Sequence, residues 1–538
     1  MNKKPVLTHG RTRPYRRLTS VPTASAVPEP RGSHADPVRT GHVGHPDNSS
    51  PARELLEQFD ACAARLRIAR HAIEEHATFC VRSRLPLDQP LIARLLDAVR
   101  HAEARLAQER HLLVGHGGTG RPEQLSAGET VLRFGWATYS YARGALEWCS
   151  PSTAQSRAVQ FFDVGAQNSA EANYARYESS AVADLERHVA DVLVVPPGTH
   201  TVSATSSGVA AYTLIEAVLL RHRLCPGDAV LIAPTVHFEQ VEQLTALPYF
   251  PVLRGSGHGV DDLLDEVRRH RPRCLFVDPL ANNARQRMID VPALIRRLPT
   301  VITGPITVVV DGTTLSCGLP AVATTEDDPV EVIYYESGSK HLQLGLDLTM
   351  AGFVVHPIGL LAEFTRQRRN TGSILDPRAA DLFPRYPSDA HRSRLRRIGD
   401  NALRAAILLH DDPRVREVGQ VFHPGLPDHP DRAAAQTLPY ADGCLSFLFD
   451  QPERNGRVEL DALFERVLAN ARTLGVQLAK GASFGFSVPR LWAAEDTCLG
   501  VESPFLRLSV GDRADQVDRL VEAVADAVAD PIARVLAG

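Results

Sequence analysis

The chain has 538 residues and almost no lysine. Of its 59 basic residues only Lys3, Lys4, Lys340 and Lys480 are lysines, and every other positive side chain is an arginine. Cysteine is sparse as well: eight residues, at 62, 80, 149, 225, 274, 317, 444 and 498, none in a CxxC pair or at metal-ligand spacing. That gives no zinc-ribbon type of spacing, and it fits reduced thiols in a cytoplasmic protein. No run of about 18 apolar residues occurs, so no membrane span is expected. The basic start "MNKKPVLTHGRTRPYRR" lacks the apolar stretch of a secretory signal. A net charge of −4 lacks the basic excess of a dedicated nucleic-acid binder.

What is present divides the chain into four segments. Residues 1–50 are rich in Pro, Gly, Ser, His and Arg and carry eight basic against three acidic residues. They are expected to form a disordered basic leader. Residues 51–150 change to helical spacing, with apolar positions at 55, 56, 59, 62, 66 and 68. Ser50 followed by Pro51 reads as a helix start. "PLIARLLDAVRHAEARLAQERHLL" reads as a second helix, "GHGGTGRP" as a break, and "SAGETVLRFGWATYSYARGALEW" as a third helix. Residues 151–376 bring short β-branched runs ("HTVSAT", "AVLIAP", "CLFVDP", "ITVVVDG", "VEVIYYES") between helical patterns. That alternation predicts an α/β doubly wound, mostly parallel sheet. Residues 377–538, mainly helical with strands at "GCLSFLFD" and "PFLRLSVG", predict a smaller C-terminal α/β domain.

In such sheets ligands sit beyond the carboxyl ends of the strands. Three strand ends carry suggestive residues. "VSAT" is followed by "SSGVAA", a small-residue turn whose Gly208 and Val209 amides would open a helix and face an anion. "ITVVV" is followed by Asp311, Gly312, Thr313 and Thr314, and a carboxylate there either caps a turn or fixes a cationic ring nitrogen. "VEVIYYE" is followed by "SGSKH". An ammonium held near other positive groups loses its proton more readily and becomes nucleophilic. Arginine cannot take its place, because a guanidinium does not deprotonate in proteins. This is a chemical reason for a lysine at position 340.

Phosphate turn, aspartate and lysine follow one another in the order found in fold-type I enzymes that use pyridoxal 5′-phosphate (PLP). The stretch from about 165 to 535 resembles the Cys/Met-metabolism family of such enzymes, which includes cystathionine γ-synthase, cystathionine lyases, methionine γ-lyase and homocysteine synthases. "ESGSKHLQLGLDLTMAG" resembles the family's S-A-T-K-Y-x-x-G-H-x-D segment. The resemblance makes Lys340 the lysine that forms an imine with the cofactor aldehyde, and Ser337 and Ser339 phosphate contacts. "VVVDGTTLS" resembles V-D-N-T-F, which makes Asp311 the partner of the pyridinium nitrogen, with Thr313 beside it at the cofactor. "TSSGVAA" resembles T-S-S-G-M-A-A, and "DPLANN" resembles E-S-P-T-N-P, which implies Asn282 near the cofactor's phenolic oxygen. "NYARYESSAVADLERHVADV" resembles the Y-S-R-x-x-N-P-T segment, which implies Tyr174 and Arg176 on the phosphate of a neighbouring subunit. "GQVFHPGLPDHPDRAAA" resembles Y-P-G-L-x-S-H-P, "KGASFGF" resembles K-x-x-S-L-G-G, and "FLRLSVG" resembles L-V-R-L-S-V-G. By that match Ser483 and Arg507 hold the substrate α-carboxylate.

The departures carry meaning too. Nine residues past "PGD" the family has a tyrosine that stacks on the cofactor, whereas this chain has His237, which can stack and shuttle protons. N-P-T is absent, "VDGTT" replaces V-D-N-T-F, His341 stands where the lysine's neighbour is Tyr, and residues 1–150 are additional to the family core. The resemblance implies a divergent PLP-dependent enzyme acting on a homoserine- or cysteine-derived amino acid by γ-replacement or γ-elimination, in specialised metabolism. It also implies a homodimer or homotetramer. The residues leave open β-elimination or other Cα-carbanion chemistry on the same scaffold, and a PLP-fold sensor that binds a ligand or partner. No metal site is expected.

Overall fold

The computed structural model describes residues 50–82, 84, 88–115, 121–146, 179–318, 328–494 and 504–529. Three helices come first: α1 (Pro51–Arg82), α2 (Gln89–Gly115) and α3 (Pro122–Leu146). Ser50 Oγ accepts from the Arg53 amide at 3.2 Å, the cap expected just before a proline at the first helical position. Leu55, Phe59, Cys62, Leu66, Ala69 and Ile73 form one buried stripe along α1. It packs with α2 and α3 around a shared apolar core, the outcome of a 3.6-residue period with one apolar side. The third helix begins four residues earlier than the aromatic stretch alone suggests, because Pro122 and Glu123 make a favourable first turn.

Among the described residues the central sheet has seven strands: β1 (His200–Thr205), β2 (Val230–Ile232), β3 (Val252–Arg254), β4 (Cys274–Val277), β5 (Ile306–Asp311), β6 (Val330–Ser337) and β7 (Gly352–Pro357). Their order is β1-β7-β6-β5-β4-β2-β3. β7 runs antiparallel to both neighbours, and the remaining pairs are parallel. Every residue of β4 and β5 is buried. Helices cover both faces of a parallel sheet, so its inner strands read as continuous β-branched runs and not as alternating ones. Helix α4 (Gly208–His222) follows β1, and α5 (Phe238–Thr245) follows β2.

A second sheet, ordered β10-β11-β12-β9-β8, comprises β8 (Gly419–Phe422), β9 (Cys444–Phe449), β10 (Ala479–Lys480), β11 (Arg490–Ala494) and β12 (Phe505–Ser509). Helix α6 (Ser388–Asp411) joins the two cores. Its Leu395 and Ile398 pack into the core of the large sheet, and Ala402, Ala405, Ala406 and Leu409 into that of the small one. Among the described residues, no helix is long and apolar enough to cross a membrane.

Candidate active site

A cleft of about 600 Å³ opens beyond the carboxyl ends of the central strands, and residues of β11 and β12 close its far side. Lys340, His237, Asp311, Thr313, Ser337, Ser339, Gly208, Val209, Asn282, Ser483 and Arg507 all line it. Tyr174 and Arg176 lie outside the described residues.

At one end of the cleft, Ser207 caps α4: its Oγ accepts from the Ala210 amide at 3.0 Å. The first amides of a helix have no intrahelical acceptor, and those of Gly208 and Val209 are not used by this cap. A side chain at position 208 would clash, since a Cβ there would fall 2.9 Å from the Ser337 Cβ and 3.1 Å from its Cα. Thr313 Oγ1 accepts from the Ser337 amide at 3.0 Å, and Ser337 Oγ from the Ser339 amide at 3.4 Å. Helix amides and two serines thus line the same cleft, a donor set suited to phosphate.

Beneath the cleft lie two carboxyls. β4 and β5 are parallel, with Val277 opposite Val310, so the next residues, Asp278 and Asp311, emerge side by side. Asp311 accepts from the Thr313 amide at 2.9 Å and, at 3.5 Å, from Gln240 Nε2. Tyr335 also donates to it. Asp278 accepts from the His237 amide at 3.0 Å. Burial pushes both carboxyls up, and the Asp311 charge raises Asp278 further. Two buried acids side by side form a site that favours positive charge. A protonated ring nitrogen beside Asp311 meets that demand, so these residues fit the pyridine end of PLP as the cradle fits its phosphate. The pairing with Asp278 is not anticipated from the sequence. Its signal was "CLFVD", which ends in an acid just as "ITVVVD" does.

Lys340 Nζ donates to Ser483 Oγ at 2.7 Å and lies 5.5 Å from the centre of the Phe484 ring. Burial holds this ammonium below the ordinary lysine range, and the Arg507 charge adds to the effect. Arg507 donates to Asn282 Oδ1 and to the Ala482 carbonyl. Trp492 lies directly opposite it on the neighbouring strand. His237 occupies the N-cap position of α5 without a side-chain cap bond, its ring 4.7 Å from that of Phe238 and tilted by 38°. His341 is buried: its Nε2 faces the Thr314 carbonyl at 3.1 Å and the Tyr440 hydroxyl at 3.4 Å. Burial drops its pKa to about 3, helped by Arg394. It is therefore neutral at physiological pH, and its ring packs against those of Tyr440 and Phe484.

The model of the Cys/Met metabolism PLP-dependent enzymes matches residues 148–528. The chain belongs to that family. It is a PLP-dependent enzyme of fold type I. The bifunctional enzyme flvA of Aspergillus flavus is 30% identical over 387 residues, covering 70% of this chain and 45% of that one. The chain thus spans less than half the length of that relative. A cystathionine γ-synthase from Xanthomonas oryzae pv. oryzae, solved with cystathionine, shares 20% identity at a TM-score of 0.53, covering 71% of this chain and 98% of the other. CalE6, a methionine γ-lyase from Micromonospora echinospora, shares 22% at a TM-score of 0.52, covering 66% and 88%. At these identities the likeness to the two solved structures is one of fold.

Proposed function

We propose that this family member acts on a homoserine- or cysteine-derived amino acid by γ-replacement or γ-elimination. The observation that carries the reading is the gathering of Lys340, Asp311, Arg507, Asn282 and Ser483 around one cleft. PLP, when bound, spreads over its ring the negative charge left at the substrate Cα.

The chain's own residues supply the rest. Gly208, Val209, Ser337 and Ser339 would hold the phosphate, with Ser337 fixed by Thr313. Asp311 would keep the ring nitrogen protonated. Asn282 would serve the phenolic oxygen, and His237 would stack on the ring. Arg507 grips the α-carboxylate with its planar fork, and Ser483 assists. The Lys340 amine, easily deprotonated in its buried position, would take the proton from Cα, pass it to the carbon that carried the cofactor aldehyde, and then take a proton from Cβ, so that the γ-substituent leaves with its bonding electron pair. Proton transfer of this kind contributes about 10²–10⁴-fold to rate.

β-Elimination is the second reading, favoured by His237 at the place of the family's tyrosine. A closed symmetric oligomer, homodimer or homotetramer, follows from matching Tyr174 and Arg176 to a segment that serves a neighbouring subunit. The deciding experiment incubates the protein with O-acetyl- or O-succinyl-homoserine and a thiol. Loss of the ester and appearance of a thioether support γ-chemistry. Recovery of unchanged ester, together with turnover of a β-substituted amino acid, rejects it.

A further inference from the structure

The segment that follows Lys340 is anchored in the amino-terminal helices. Leu346 is buried in the apolar core of α1–α3, which is otherwise built from residues 52–142 of those helices. Leu348 packs against the same core. Arg133 of α3 donates to the Gly345 carbonyl at 3.3 Å. One turn earlier on α3, Glu129 hydrogen-bonds Ser487. Ser487 also faces Arg394, whose guanidinium donates to the Gly485 carbonyl at 3.0 Å and pairs with Asp512 at 3.0 Å. Gly485 lies against the lysine itself: a Cβ there would stand 2.9 Å from the Lys340 carbonyl carbon. Helix α3 therefore holds both segments that meet at the hydrogen bond from Lys340 Nζ to Ser483 Oγ.

The backbone between Lys340 and the anchor is not one that relaxes into place unaided. Leu344, Gly345 and Asp347 have φ of 51°, 80° and 52°. Glycine visits that region freely, but leucine and aspartate remain there only where their surroundings hold them.

We infer that α3, acting through Arg133, Glu129 and the socket for Leu346, is a positioning element of the active site that fixes the Lys340 amine against Ser483. The inference rests on the reading of Lys340 as the imine-forming lysine. Arg133 and Glu129 are positioning residues: they reach the backbone or side chains of the two segments and leave the reacting atoms to Lys340.

The test uses the full chain loaded with PLP, and the variants Arg133→Ala, Arg133→Lys and Glu129→Ala. Hydrogen exchange is read at residues 341–349 and 483–487, and kcat and KM are measured separately. A misplacement of about 1 Å at a reacting group costs about 100-fold in rate. We expect Arg133→Ala to speed exchange at 341–349 and lower kcat by about 10–100-fold with little change in KM. Glu129→Ala should speed exchange at 483–487. Arg133→Lys should recover most of the loss, since an ammonium can still donate to one carbonyl. Leu346→Ala, which opens a cavity in the helical core, serves only as a comparison for global stability. Unchanged exchange at 341–349 in Arg133→Ala overturns the inference, as does faster exchange with unchanged kcat. If borohydride reduction of the wild-type holoenzyme leaves Lys340 unlabelled, the proposed function fails instead, and the exchange data still report on the anchoring.

Discussion

Lys340 Nζ donates to Ser483 Oγ at 2.7 Å, so the segment leaving β6 is tied to the one leaving β10. The bond stations the amine between the two sheets, in the cleft where Arg507 and Asn282 also lie. Replacing Lys340 by alanine removes both the imine-forming amine and the Cα base. Turnover should fall by at least about 10⁴-fold, the upper range for a general base. Lys340→Arg should not restore it, because a guanidinium stays protonated. Peptide mass spectrometry after borohydride treatment should find a pyridoxyl group at residue 340 of the wild type. Residual turnover in the alanine variant within tenfold of wild type would remove this residue from the mechanism.

Arg507 offers a planar pair of donors, and its partners Asn282 and Ala482 set its direction. Arg507→Lys keeps the charge and loses the fork. The KM for the amino acid should rise by about 100-fold, because a bidentate pair is not reproduced by a single ammonium. Cofactor retention, followed by visible absorbance, should be unaffected. Loss of the cofactor at equal KM would place Arg507 elsewhere in the scheme.

Asp278 and Asp311 can be separated experimentally. Asp311→Asn should leave the ring nitrogen without its carboxylate and lower kcat by about 10²–10³-fold, the scale for one preorganised electrostatic partner. Asp278→Asn relieves the like-charge burden while keeping an acceptor for the His237 amide. It should cost less than about tenfold in the same assay. Equal losses in the two variants would mean that the acids act as a single unit and would refute the division of labour.

Much of this arrangement is legible in the residue order. "ITVVVD" reads as an inner strand because burial on both faces leaves a continuous β-branched run. Lys340 stands out because lysine is otherwise nearly absent. The motif order around it then identifies the family, which the match over residues 148–528 supports. The pairing of Asp278 with Asp311 was hidden, since it depends on β4 lying next to β5 in register, and that is a property of sheet order. The anchoring of Leu346 among α1–α3 was hidden for the same reason. A leucine in a loop carries no local sign of which core will bury it, and here the core lies more than 200 residues away in sequence.

Another buried acid gives the fold a pH dependence of its own. Glu336 is buried at the end of β6, where it accepts from the Tyr334 hydroxyl at 2.5 Å and from Ser316 Oγ at 3.3 Å. Ser316 in turn meets His391 Nε2 at 3.0 Å. Burial pushes the Glu336 carboxyl from its ordinary 4.5 up to about 8, against the opposing pull of these hydrogen bonds. A folded pKa above the unfolded one means that the folded state holds the proton more tightly. The stability it contributes is complete below the unfolded value and is lost as pH rises through the folded one. Between about pH 6 and pH 8 this one group should cost on the order of 2 kcal/mol. Glu336→Gln keeps a side chain of the same shape and cannot ionise. Urea denaturation at the two pH values should therefore show a smaller loss of stability in the variant than in the wild type. The same loss in both proteins would show that Glu336 is ionised in the folded state throughout this range.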